Sequence, residues 1–417
     1  MGQAGQSKSM LGELPHAPKG SASVHLDALR GFAAFSVLLS HWRDAFFVDY
    51  SALQRHDLLT TTAYIFCSMG RQWVIVFFVL SGYLVGGSIL RSRQAGRWSW
   101  RAYLLTRLTR LYVVLVPALL LGGIADWVGM HMPGMMNIYT GNSGMHILAY
   151  DVHQTLTPRV FVENLLFLQN LHAPGLGSNT ALWSLANEFW YYIVFPLLLL
   201  VFARGQKRTG RVVCVLALVA WSVFAGMHVV LLIIPWLMGV SIACLPRFPA
   251  FGPWTRNLTV FLAMAMFFAG MMFFAEGQAT GNASHSLLAG SIYGMPFTDI
   301  PLGLLISFLI WVTLSCATAP MPSSYAWLAK RAAAGSYTLY LIHIPVLVLI
   351  KASLHIPRMV PNWHAAMVGM AVLVFVLLYA QLVYELFEKK TDGVRNWIRL
   401  HVMVEKKASS CLPLKPL

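Results

Sequence analysis

The sequence predicts an all-α, polytopic membrane helix bundle of about ten transmembrane helices, with both termini cytoplasmic. Three observations carry that expectation. Of the 417 residues, 58% are hydrophobic and only 11% charged. A soluble domain is about a quarter charged, so this chain lacks the polar surface to cover a water-soluble globule of its size. Apolar stretches of about 18 residues or more recur, long enough to cross a bilayer. Lysines and arginines also segregate into alternate connecting segments, as cytoplasmic loops require. Disorder, a disulfide-rich secreted module and a soluble enzyme are excluded on the same grounds. The net charge of +15 reads as a topology signal, so no nucleic-acid partner is expected.

Apolar length places spans at 29–47, 73–90, 111–129, 181–203, 212–226, 228–245, 257–275, 300–319, 336–352 and 364–387. The segment 160–171 is apolar but short and contains Glu163, so it is expected to be re-entrant or interfacial. With the N-terminus inside, 23 of the 30 Lys and Arg fall in inner segments and six in outer ones. Letting 160–171 cross would move the basic segment 204–211 outside, against that bias. The domain reading is a cytoplasmic tail over 1–25, a membrane domain over 26–387 and a basic cytoplasmic tail over 388–417. The first 25 residues lack an apolar run with a small-residue cleavage site, so no cleaved signal peptide is expected. Cys67, Cys214, Cys244, Cys316 and Cys411 show no C-x-x-C spacing and read as packing residues, with no metal site expected.

Ionisable groups inside spans are functional candidates by default. The first span contains LDALRGFAAFSVLLSH, with Arg30 and His41 eleven positions apart. Eleven steps of about 100° return to within roughly 20° of one face, and about 1.5 Å per residue separates them by roughly 16 Å. A ligand along that stripe would set an anionic end at Arg30 and a reactive end at His41. A carbonyl-bonded histidine and a snorkelling arginine would explain each residue singly; the shared register favours function.

The segment 91–110 holds six arginines and no acid, which topology alone would explain. Arg107 and Arg110, three apart, are also neighbours on a helix and can clamp phosphate. The second span carries FFVLSGYLVGG, where Ser81 and Gly82 suit helix packing or close approach of a ligand. In the fourth span, ALWSLANEFWYY places Trp183, Ser184 and Glu188 in the outer half. Glu188 either pairs with an arginine, orients His41 or binds substrate hydroxyls. In the ninth, GSYTLYLIHIP puts Tyr340 and His343 on one face. Two decoys are rejected. HILAYD (residues 146–151) has an H-x4-D spacing but lies in an outer loop, and His131, His146, His153 and His172 lack ligand-like spacing.

These motifs, in this order over residues 26–345, resemble the acyltransferase-3 family of integral membrane acyltransferases. The resembling patterns are LDxxRGxAAxxVxxxH, FFVLSGY, R-x-x-R, WSLxxE and SYxLYLxHxP. One departure is WVIV (73–76) where the family often has a GVDL-like stretch, so no acid is available there. The resemblance implies transfer of an acyl group, often acetyl from acetyl-CoA, to hydroxyls of extracytoplasmic glycans, lipid-linked sugars or antibiotics. It maps the family's first-span Arg and His onto Arg30 and His41 and its R-x-x-R pair onto Arg107 and Arg110. Some relatives carry an added SGNH domain, and this chain is expected to lack one. The expected location is the bacterial cytoplasmic (inner) membrane.

Transfer from a thioester needs a base and stabilisation of the developing oxyanion. On this reading His41 takes the acceptor proton, and Glu188 orients it or binds substrate. Arg30, Arg107 and Arg110 hold the CoA phosphates, while Ser81, Trp183, Tyr340 and His343 contact substrate. Acetyl-CoA is a donor substrate, with no permanently bound cofactor expected. His41 could alternatively become acylated itself. Membrane lipid and a carbohydrate or glycoconjugate acceptor are the expected partners. The rival class is a transporter or flippase of a polar or lipid-linked substrate, since intramembrane charges also mark transport sites.

Overall fold

The computed structural model describes residues 20–133, 136–203, 205–247, 252–279, 295–317 and 321–402. The outermost parts of both expected tails, with Cys411, lie outside the described residues. Among these residues the secondary structure is helical: α1 (Ser21–Phe46), α2 (Leu58–Cys67), α3 (Gly70–Gln94), α4 (Trp100–His131), α5 (Pro158–Leu165), α6 (Leu182–Val201), α7 (Arg208–Ile242), α8 (Pro253–Ala279), α9 (Met295–Cys316), α10 (Ser323–Ala334), α11 (Ser336–Leu354), α12 (Trp363–Leu386) and α13 (Thr391–Val402). Nine helical runs among them are long and apolar enough to cross a membrane, making the chain an all-α polytopic bundle.

The difference from ten lies in α7. The expected spans 212–226 and 228–245 are arms of one helical run broken at Gly226, whose φ of 78° and ψ of 161° leave the helix. The chain leaves α6 near Val201 and reaches the level of Trp190 at Phe224 (ring centroids 5.8 Å apart). It has returned to the level of Phe195 at Trp236 (5.2 Å). The arms therefore reverse direction at a residue that only glycine suits, and each arm corresponds to one expected span.

Segment 160–171 does not cross. Its helix α5 has 8 residues, and the chain then turns back through left-handed backbone at Phe167 and Asn170. Asn164 knits that return by donating to the carbonyls of Val160 and Pro174 and accepting from the Leu176 amide.

Helix α11 is the axis of the bundle, buried along most of its length, while α7 and α8 form the margin and turn residues such as Val223 and Phe261 outward. The α3–α7 crossing is set by paired small residues. A Cβ on Gly82 would fall 1.8 Å from the Trp236 carbonyl oxygen, and one on Gly239 would fall 2.0 Å from that of Val79. Just there α3 widens into a π-turn over Gly82–Gly86, a distortion frequent at functional sites.

At the arginine-rich end of the bundle, α13 packs against α4. Part of the expected C-terminal tail thus forms an amphipathic helix, with Val394, Trp397 and Leu400 exposed on one side. Glu388 pins its approach by accepting from the Thr338 amide (3.1 Å) and hydroxyl (2.5 Å). At the opposite end the long loop after α4 docks through Asp126, which accepts from the Ser178 amide and hydroxyl, both at 2.7 Å. Asp49 clamps the same end, bound to Arg358 at 2.7 Å and Arg43 at 3.2 Å.

Candidate active site

Helix α1 delivers His41 to the side of α11, where His343 waits. His41 Nδ1 lies 2.7 Å from His343 Nε2. The ring planes agree within 8° and the centroids are 5.0 Å apart, the separation of two rings joined edge to edge. His343 Nδ1 is 3.0 Å from the carbonyl of Leu339, one turn earlier. A carbonyl only accepts, so His343 Nδ1 carries the hydrogen and its Nε2 accepts. His41 Nδ1 must then be the donor, which leaves the lone pair of the neutral pair on His41 Nε2. A helix carbonyl thereby sets the tautomer of both rings.

A cavity of about 130 Å³ enters the bundle from the arginine-rich end. It gathers residues that the sequence scatters over five elements, among them Arg30, Arg107, Arg110, Ser81, Glu188 and Tyr340. Arg30 donates to the Ala333 carbonyl (3.2 Å) and reaches Asp27 (3.4 Å). Arg107 donates to Ser88 Oγ (3.1 Å) and stacks over Tyr103 and Tyr192. The Nε of each is buried without a hydrogen-bond partner, so both keep a donor in reserve. Arg110 is exposed at the mouth. Three guanidiniums at one mouth suit a phosphorylated ligand.

Ser81 lies deeper, accepting from the Trp236 indole (3.2 Å). At the far wall the Tyr340 hydroxyl donates to the Ala181 carbonyl (3.0 Å) and so accepts from Ser184 Oγ (2.7 Å). The Tyr340 ring is 6.0 Å from that of His343.

Two expectations are corrected. Glu188 does not orient His41: its carboxylate accepts from Tyr192 (2.5 Å) and lines the arginine cavity, while His343 takes the partner position at His41. Nor does one open stripe run from Arg30 to His41. Arg30 lines the cavity, His41 does not, and Tyr340 forms the wall near the His343 ring.

Trp183 sits under a different arginine. The Arg71 guanidinium lies 5.5 Å from its ring and binds Asp299 at 2.6 Å. Arg71 follows Gly70, which packs against Ser40, the neighbour of His41. The Arg71–Asp299 pair went unread in the sequence because each residue stands at the edge of an apolar run, where charges are ordinary. Asp44, Asp126 and Asp299, nearer helix ends, are buried, whereas Glu188 is only half-buried.

His146 and Asp151 of the rejected H-x4-D segment take separate partners: His146 meets Asp49 and Asp151 binds His153. Asp44, Asp49 and His146 converge closely enough to suggest a metal site. Arg358 already sits among the carboxylates, 2.7 Å from Asp49 and 3.8 Å from Asp44. Its hydrogen bonds and charge hold the Asp49 carboxyl down at about 2, so this cluster is an ion-pair clamp.

The profile of one protein family, described as an acyltransferase domain, matches residues 24–382. A Bacillus subtilis (strain 168) protein provisionally named as a peptidoglycan O-acetyltransferase is 25% identical over 93% of this chain and 58% of its own length. Nodulation protein 10 of Rhizobium leguminosarum bv. viciae is 26% identical over 47% of this chain and 50% of its own. The chain therefore spans about half the length of these curated relatives. No solved structure matches it.

Proposed function

The chain belongs to the family defined by this acyltransferase domain, and from that premise we propose that it moves an acyl group from acyl-CoA to a hydroxyl of an extracytoplasmic glycan or glycoconjugate. Acetyl is the expected acyl group, and the bacterial cytoplasmic membrane the expected location. The relative named for peptidoglycan O-acetylation supports a glycan as the acceptor class.

The observation that carries the proposal is the fixed tautomer of the His41–His343 pair beside a cavity mouthed by three arginines. His41 Nε2 takes the proton of the acceptor hydroxyl as its oxygen attacks the thioester carbon. The new C–O bond forms, the C–S bond breaks, and the CoA thiolate leaves with the proton that His41 returns. His343 is a positioning residue, holding the His41 ring through the Leu339 carbonyl. Arg30, Arg107 and Arg110 bind the CoA phosphates at the basic mouth, with Glu188 balancing their charge and Ser81 lining the passage. The thioester reaches the histidines past Tyr340, and the acceptor approaches from the loop end, near Trp183. Because Lys and Arg mark the cytoplasmic side, donor and acceptor enter from opposite faces.

Purified protein supplied with labelled acetyl-CoA should release CoA and pass the label to a glycan acceptor. His41→Ala should lower that rate by about 10²–10⁴-fold, the usual contribution of a general base. Activity within a few-fold of the unaltered protein would remove His41 from the chemistry.

A further inference from the structure

A second and larger hollow lies outside this machinery. A groove of about 1120 Å³ runs between α1, α8, α9 and α10, larger than the usual small-molecule pocket of up to about 1,000 Å³. Its walls are apolar and aromatic: Phe32, Phe35 and Trp73 on one side, Val260, Met264 and Phe267 on the other. Polar groups gather at one end only. There Arg256 and Asn257 of α8 face His25 of α1 and Tyr325 of α10, with His25 Nδ1 3.1 Å from the Tyr325 hydroxyl. Among the described residues no carboxylate lines the groove; Asp27, two residues beyond His25 on α1, turns to Arg30 instead.

The polar end belongs to the arginine-rich side of the bundle, since His25 opens α1 and Arg30 lies one turn and a half further along. From His25 to Phe35 is ten residues, or about 15 Å of helix, which is about half of a hydrocarbon core roughly 30 Å thick. The hollow thus has the depth of one leaflet, and Phe261 and Met264 of its wall are exposed at the margin of the bundle.

We infer that this groove is a binding site for an anionic phospholipid of the leaflet on the basic side. Its phosphodiester sits against Arg256, Asn257, His25 and Tyr325, and its acyl chains fill the aromatic channel. Arginine suits phosphate geometry, and a cationic choline headgroup would find no acid to pair with among the described residues of the lining. The lipid completes the packing of α8, a helix largely unburied by protein, against α1. This inference rests on the groove alone and stands apart from the acyl-transfer reading.

Native mass spectrometry of the full chain, given phosphatidylglycerol or phosphatidylcholine with identical acyl chains, tests it. The unaltered protein should retain phosphatidylglycerol about fivefold more than phosphatidylcholine, the preference expected of one arginine near a lipid surface. Arg256→Gln should abolish the preference, whereas Arg208→Gln, on the same side but outside the groove, should leave it. Val260→Trp, which fills the channel, should reduce retention of both lipids. Equal retention of the two lipids by the unaltered protein overturns the inference, and that comparison needs no variant. Equal loss in Arg208→Gln would assign the effect to general surface charge. A lipid-free dimer would put a second copy in the groove.

Discussion

The lone pair on His41 Nε2 exists because a backbone carbonyl four residues before His343 decides which nitrogens carry hydrogen. Removing His343 should therefore lower kcat by about 10-fold or more while leaving the KM for acetyl-CoA near its starting value, because the donor cavity is untouched. His343→Gln supplies a carbonyl able to accept from His41 Nδ1 and should recover part of the rate that His343→Ala loses; equal activity in both variants would assign His343 to packing only. At the other end of the passage, Arg107→Ala with Arg110→Ala should weaken acetyl-CoA binding measured by titration. The deficit against the unaltered protein should shrink with added salt, since phosphate pairing is screened in the unaltered protein too. Unchanged affinity at low salt would leave these arginines as topology signals. Arg30, Arg107, Arg110, Ser81, Glu188 and Tyr340 were each legible as candidates because each stands out as polar in an apolar setting, but their convergence on one cavity was not. Depth along a helix follows from residue count, which is why Glu188 could be considered as a partner of His41. Azimuth between helices follows from packing, and α11 places His343, not Glu188, beside His41.

Helix breaks carry the next level of organisation. Gly226 adopts a conformation that side chains rarely tolerate, so Gly226→Ala should cost about 1–3 kcal/mol, read as a lowered melting temperature with little change in donor affinity. An unaltered melting temperature would mean that the reversal of α7 does not depend on this residue. The Asp49 clamp gives a pH signature. Its folded-state carboxyl titrates near 2, below the ordinary carboxylate range, chiefly through its hydrogen bond to Arg358. Its stabilisation is therefore complete above about pH 4 and lost as pH falls towards 2. Asp49→Asn should flatten that part of the melting-temperature profile while lowering stability at neutral pH; a profile that stays as steep would place the acid sensitivity elsewhere. The sequence showed that 160–171 is too short to cross, since apolar length is one-dimensional information. It concealed the joining of two spans through Gly226, because one backbone torsion decides whether a helical run ends or bends. Helix α13 was read only as part of a basic tail, since its apolar residues are too few to register as a span and emerge only on the 3.6-residue period.

Across the whole molecule the asymmetry of charge and the asymmetry of the site coincide. The arginine cavity opens on the side where most Lys and Arg collect, and the long loop bound through Asp126 and Ser178 covers the other. Composition made the membrane bundle legible because a chain with 11% charged residues has few alternatives. The groove beside α8 was not legible, as its walls are apolar residues indistinguishable in sequence from those facing lipid. Transfer of an acyl group across the membrane is the central claim, and sided transfer tests it most directly. Inside-out membrane vesicles from cells producing the protein would receive labelled acetyl-CoA on their exposed cytoplasmic face. Acyl transfer predicts ester-linked label on glycan enclosed in the lumen, base-labile and absent with His41→Ala, while the CoA moiety stays outside. Lumenal glycan that remains unlabelled, or label that arrives equally with His41→Ala, would contradict it.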